Sequence, residues 1–226
     1  MQNLANDDAF SLSCPAEQPD PDLSVYVRLN PDGSVKETRD ARGNTTWYEH
    51  DSHGNLSGIH FEYGDSLLKD GGAWIEYKAG VRYREHRVFF AVTADGDLGC
   101  ADFNGFIRVH HLDGSITKIF PNQSQITINK YDRVEATTSV GGVNMFYEYD
   151  GSGCLSTVRL DGGNIMRRER EAWVEYRNDQ AVRLVHCDLS VSENGDFIWL
   201  EQDNSANVLH LDDSISNHDA STLGAS

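Results

Sequence analysis

Positive charge is scarce in this chain. It holds 19 Lys and Arg against 36 Asp and Glu, a formal net charge of −17 over 226 residues. A protein that grips phosphate backbones does so with cations that displace counterions, so nucleic acid is excluded as a partner. An anionic membrane surface is excluded on the same ground. The plain reading of the acidity is solubility; a narrower one is calcium binding by acidic turns. Long apolar runs are missing too, and no stretch can span a bilayer as a helix. The N-terminus has no basic and apolar leader. The expectation is a cytosolic chain, a piece of a larger protein, or export without a cleaved leader. The 4 cysteines (Cys14, Cys100, Cys154, Cys187) form no CxxC or zinc-like spacing. That argues against a disulfide framework and for free, partly buried thiols. A sustained 3.6-residue period is absent, and so are G-x-S-x-G, a P-loop and a dinucleotide fingerprint.

What the chain does have is self-similarity. Shifted by 99 positions it aligns without a gap from Val25 to Ile116, with about 25 identities in about 92 positions. Tyr48-Glu49-His50-Asp51 meets Tyr147-Glu148-Tyr149-Asp150, and Ala73-Trp74-Ile75-Glu76-Tyr77 meets Ala172-Trp173-Val174-Glu175-Tyr176. Gly96-Asp97 meets Gly195-Asp196, and His111-Leu112-Asp113 meets His210-Leu211-Asp212. Within each copy the apolar residues alternate. Val25, Val27 and Leu29 share one face, and Ile75 and Tyr77 oppose Trp74 and Glu76. Turn dipeptides such as Asp32-Gly33, Gly54-Asn55, Asp113-Gly114 and Asn194-Gly195 fall roughly every ten residues. There is no room for the long crossovers that parallel strands need. The expected fold class is all-β, an elongated antiparallel meander of hairpins built from two tandem copies of about 99 residues.

The organisation expected from this pattern is an acidic, proline-bearing disordered lead-in over residues 1–22, β-repeat units over 23–120 and 121–216, and a polar disordered tail over 217–226. Asp32-Gly33-Ser34-Val35 also resembles Asp113-Gly114-Ser115-Ile116 in a second register. This predicts an extra hairpin near residues 117–134, gained by one copy or lost by the other.

The most specific short pattern runs from Gly142 through Tyr147, Tyr149-Asp150, Gly153, Leu155 and Val158 to Asp161-Gly162; a weaker form uses Gly43, Tyr48, Asp51, Gly54, Leu56 and Ile59. It resembles the YD repeat of bacterial RHS-type proteins, over about 20 residues in each copy. The resemblance implies an all-β, non-catalytic repeat body belonging to a surface or secreted bacterial protein. Two copies are too few to enclose a cargo, so encapsulation is not carried over.

Candidate sites were weighed against structural roles. His50, His53 and His60 lie close in sequence, and His110 and His111 are adjacent. Neighbours on a strand face opposite sides, so the adjacent pair cannot share an ion. Glu49 with Glu148, and Glu76 with Glu175, are repeated carboxylates beside tyrosines. They suit solvated sheet faces better than a hydrolase cleft. Tyr48, Asp51, Gly54, Leu56, Trp74, Tyr77 and Gly96, with Tyr147, Asp150, Gly153, Leu155, Trp173, Tyr176 and Gly195, read as repeated structural slots. Trp199 stands where the first copy has Cys100 and reads as an exposed contact. The expected function is a non-enzymatic structural or interaction module with no cofactor and no metal, whose partner is a protein or a glycan. A glycan-binding module using exposed aromatics is the alternative, and a hydrolase a more distant one. Open sheet edges add an expectation of homodimers.

Overall fold

The computed structural model describes residues 24–219, except 171 and 202–204. The expected lead-in lies outside the described residues. So does all of the expected tail beyond residue 219. The last strand runs through Asp219, so the boundary expected at residue 217 falls within it.

The chain is an elongated, antiparallel all-β meander. Each strand is hydrogen-bonded to its neighbour in sequence, and three sheets follow one another. The first holds β1 (Tyr26–Leu29), β2 (Val35–Arg39), β3 (Thr45–His50), β4 (Leu56–Phe61), β5 (Ser66–Asp70), β6 (Ala73–Lys78) and β7 (Val81–His86). The second holds β8 (Val88–Val92), β9 (Leu98–Asp102), β10 (Ile107–His110), β11 (Ile116–Ile119), β12 (Gln125–Ile128), β13 (Val134–Thr138), β14 (Asn144–Tyr149), β15 (Leu155–Leu160), β16 (Asn164–Glu169), β17 (Ala172–Arg177) and β18 (Gln180–Val185). The third holds β19 (Asp188–Val191), β20 (Phe197–Leu200), β21 (Ser205–Leu209) and β22 (Ile215–Asp219). The boundary expected between residues 120 and 121 falls in the turn joining β11 to β12, inside one continuous sheet.

Turn chemistry sets the strand lengths. In most turns the amide of the fourth residue donates to the first carbonyl, as Gly54 does to Asp51 and Gly153 to Asp150. That fourth residue has a positive φ, 81° at Gly54 and 88° at Gly153, which glycine adopts without steric cost. The Asp51 carboxylate accepts the amides of His53 and Asn55, and Asp150 accepts those of Ser152 and Cys154. The Ser152 hydroxyl, then these amides, hold the Asp150 carboxyl below the ordinary carboxylate range, and the Asn55 amide and side chain, then the His53 amide, do so for Asp51. A second turn form places the acid two residues later. Asp32 caps Ser34, Asp113 caps Ser115 and Asp212 caps Ser214. This recurring cap explains the second register seen in the sequence. Residues 117–134, where the extra hairpin is expected, hold the end of β11, all of β12 and the start of β13, paired in order within one sheet.

Two cores form because the chain doubles back over its own sheets. After β7, strands β8 and β9 lay Phe90, Val92 and Leu98 on a buried layer of Val35, Tyr48, Leu56, Ile59, Leu67 and Trp74. After β18, Leu189, Val191, Phe197 and Leu209 do the same to Ile126, Val134, Met145, Tyr147, Leu155, Val158 and Trp173. Trp74 meets Phe90 edge-on, with ring centroids 5.1 Å apart. The buried Tyr48 hydroxyl lies 3.1 Å from Thr38 Oγ1, and Tyr147 lies 3.1 Å from Thr137 Oγ1. Gly96 and Gly195 sit where the returning chain presses on the sheet. A Cβ on Gly96 would lie 2.7 Å from Val27 Cγ2 and 3.1 Å from Thr38 Cγ2; one on Gly195 would lie 2.9 Å from Ile126 Cγ1 and 3.1 Å from Thr137 Cγ2.

Candidate binding cleft

The two cores close differently. In the first, the layers meet well around Trp74 and Phe90 but part at the other end, leaving a cleft of about 310 Å³ between β2–β5 and β9–β11. Tyr48, Phe61 and Leu67 line one wall, and Leu98, Cys100, Arg108 and His110 the other. The strand register explains the placement. Phe90, Cys100 and Arg108 are successive cross-strand partners, and His110 stands two residues beyond Arg108 on the same face of β10.

The electrostatics of the cleft are unusual for so acidic a chain. Burial, then the charges of Arg108, Arg42 and His111, push the His110 imidazole down to about 4. Burial pushes the Cys100 thiol up. The buried Nε of Arg108 has no hydrogen-bond partner. The carboxylates around the mouth are engaged. Asp40 accepts the amides of Arg42 and Asn44 and the Asn44 side chain. Glu62 accepts the Thr45 amide, and Asp132 accepts Arg42 at 3.1 Å. Asp97 lies 2.8 Å from His111 Nδ1, whose Nε2 lies 2.9 Å from Thr117 Oγ1.

The second core carries other residues at the corresponding positions. Trp199 stands for Cys100, Asn207 for Arg108, Leu209 for His110, Met145 for Thr46 and Gly141 for Arg42. Met145 is buried and Leu209 packs against that core. Trp199 is half-buried on β20, its ring centroid 6.1 Å from Phe197.

The other predicted slots are placed as follows. Tyr48, Leu56 and Trp74, with Tyr147, Leu155 and Trp173, lie in the two cores. Asp51, Gly54, Asp150 and Gly153 form two hairpin turns. Tyr77 and Tyr176 occupy β6 and β17, partly exposed. The cleft residues Arg42, Arg108 and His110 were not singled out as a group from sequence. The sequence signal for them is the set of positions at which the 99-residue alignment changes polarity, Cys100 against Trp199 among them.

No group of three or more His, Cys, Asp or Glu among the described residues can hold a metal ion. Trp74 and Trp173 are buried, Trp199 is half-buried, and only Trp47, 38% exposed, faces solvent broadly. The exposed Phe89–Phe103 pair is edge-on at 63°, which is not the coplanar platform a sugar needs. The β7 edge carries Arg82, Arg84 and Glu85, charges that disfavour edge-to-edge pairing there.

The chain matches no protein-family model and no curated protein. Solved structures similar to it are TCP10 domains. The wild-type TCP10 domain of Danio rerio CPAP is 14% identical, with 87% of this chain and 95% of that chain covered and a TM-score of 0.34. The same domain in complex with a peptide of Danio rerio STIL is 16% identical, covering 87% and 100%, at a TM-score of 0.33. The TCP domain of Drosophila melanogaster SAS-4, in complex with a proline-rich motif of Ana2, is 18% identical, covering 74% and 99%, at 0.27. The resemblance to bacterial YD/RHS proteins does not hold, since no family model matches and the similar structures are animal TCP10 domains. Its physical basis was the capped hairpin turn, which recurs here at Asp40 and Asp102 without the tyrosines. The expectation of a secreted or cell-surface bacterial protein falls with it.

Proposed function

We propose that this chain is a non-catalytic docking scaffold, a doubled unit of about 99 residues in which the first unit binds a short segment of a protein partner through its cleft. The repeated slots, Tyr48 with Tyr147, Trp74 with Trp173 and Gly96 with Gly195, form the common frame. The observation that carries the reading is the difference between the cores. The frame accommodates Leu209 and Met145 in one unit, yet the other keeps Cys100, His110 and Thr46 around a cleft lined by a half-buried arginine whose enclosed Nε has no partner. An unfilled cavity and an unpaired buried donor each destabilise a fold. Their retention beside a frame that can close the gap points to an occupant.

Panning a phage-displayed library of random peptides on the purified chain tests this. A Cys100→Trp/His110→Leu variant, which gives the first unit the residues of the second, serves as the competitor. Peptides that bind the native chain and lose binding to a folded variant support the reading. Failure to enrich any peptide, or equal binding to both proteins, overturns it.

A further inference from the structure

We infer that the cleft selects an acidic residue: an Asp or Glu side chain of the partner segment enters it and pairs with Arg108, with an apolar neighbour of that residue resting against Phe61 and Tyr63. This rests on the docking reading above and adds the chemistry of the anchor.

Arg108 carries the argument. Its guanidinium stays charged at every physiological pH. Its Nε is enclosed and makes no hydrogen bond. Among the described residues it has no salt-bridge partner, although Arg42, Arg159 and Arg177 each have one. A half-buried guanidinium with an enclosed, unpaired Nε leaves its donor fork under-satisfied, and such a planar fork is matched best by a carboxylate. The chain's own acids are committed elsewhere. Asp40 and Glu62 cap turn amides, Asp97 holds His111, and Asp132 holds Arg42 at the mouth. His110, kept neutral by burial and by the same arginines, adds a ring that can donate one hydrogen bond. The apolar wall excludes water and strengthens the pairing. The net charge of −17 does not oppose this at contact distance, because surface charges beyond about 8 Å are screened at physiological salt whereas a buried pair is not.

The test uses the peptides enriched on the native chain. The expected sequences carry Asp or Glu beside an apolar residue. Replacing that acid by its amide weakens binding to the native chain about tenfold to a hundredfold, the range for losing a hydrogen bond to a charged group. This comparison needs no protein variant. Arg108→Met produces a similar loss, and Arg108→Lys, which keeps the charge without the fork, an intermediate one. If Arg108→Met does not fold, Arg108→Lys and the amide peptides carry the test. Enriched peptides that depend on the cleft but tolerate the amide and Arg108→Met overturn the carboxylate pairing and leave the docking reading standing. Peptides indifferent to cleft filling, or no enrichment at all, remove both.

Discussion

Replacing Gly96 by alanine separates two physical demands that the fold makes on the same residue. Gly96 has φ of +91°, and Gly54 and Gly33 have φ of +81° and +85°. A left-handed conformation costs an L-residue roughly 1–2 kcal/mol wherever it occurs. At Gly33 and Gly54 that is the whole cost, because a Cβ there meets nothing within 4 Å. At Gly96 the Cβ would also lie 2.7 Å from Val27 Cγ2, 2.9 Å from Leu112 Cδ1 and 3.1 Å from Thr38 Cγ2. All three belong to packed strands or turns, so relief requires moving the returning chain away from the sheet. Forcing a methyl into such a layer costs about 1–3 kcal/mol more. Gly96→Ala should therefore lose about 2–5 kcal/mol, against roughly 1–2 for Gly54→Ala. Urea unfolding followed by tryptophan fluorescence measures both midpoints, and Trp74 in the first core reports directly. Gly195→Ala should behave like Gly96→Ala, since Ile126 Cγ1 and Thr137 Cγ2 stand 2.9 and 3.1 Å from its Cβ position. Equal losses at Gly96 and Gly54 would refute the close-approach argument and leave only the backbone term.

Other outcomes follow from single groups. His110 is held at about 4 in the fold against an unfolded value of about 6.5. The neutral form is favoured by folding, so stability is complete above pH 6.5 and declines toward pH 4, by up to about 3 kcal/mol. Denaturant midpoints across that range should flatten in His110→Leu, and an unchanged slope would count against a buried neutral imidazole. The Tyr147 phenol is pushed up to about 12, chiefly by burial, so its stabilisation is present below pH 10 and disappears as pH rises toward 12. Absorbance titration near 295 nm should lose one of its late-titrating phenols in Tyr147→Phe, with a loss of about 1 kcal/mol at neutral pH from the Thr137 bond. Val158 and Ile59 are fully buried at 0% exposure, and truncation of either to alanine should cost about 2–4 kcal/mol. Calorimetry showing much smaller shifts would mean that the layers collapse around the gap.

Much of the fold was legible in the sequence, and the reason is local. Alternation of apolar residues fixes which side of each strand is buried, and the Asp-Gly turns fix where each strand stops. Both act within about ten residues, the span of one strand and turn. The same locality misled the reading of Asp150 and its neighbours. A carboxylate that caps a hairpin looks alike in any meander, so the pattern carried turn geometry and not ancestry. The extra hairpin came from the same source, since Asp32 and Asp113 each begin an Asp-Gly-Ser cap in different turns. The charges on β7 show the converse case, for they lay in plain view in the sequence but became edge residues only once the sheet order was known.

By itself the sequence determined the strands, the turns, the antiparallel order and the apolar faces, because each depends on near neighbours along the chain. It did not determine that β8 and β9 fold back across the first sheet, nor that Phe90, Cys100 and Arg108 then confront Tyr48 and Phe61 across a gap. Those contacts join residues dozens of positions apart. Cys100 makes the point most simply: read along the chain it is a lone thiol on a strand, whereas in the packed layers it lines a cleft beside an arginine whose enclosed Nε has no partner. Only the packing of one sheet on another decides which face of a strand becomes a site.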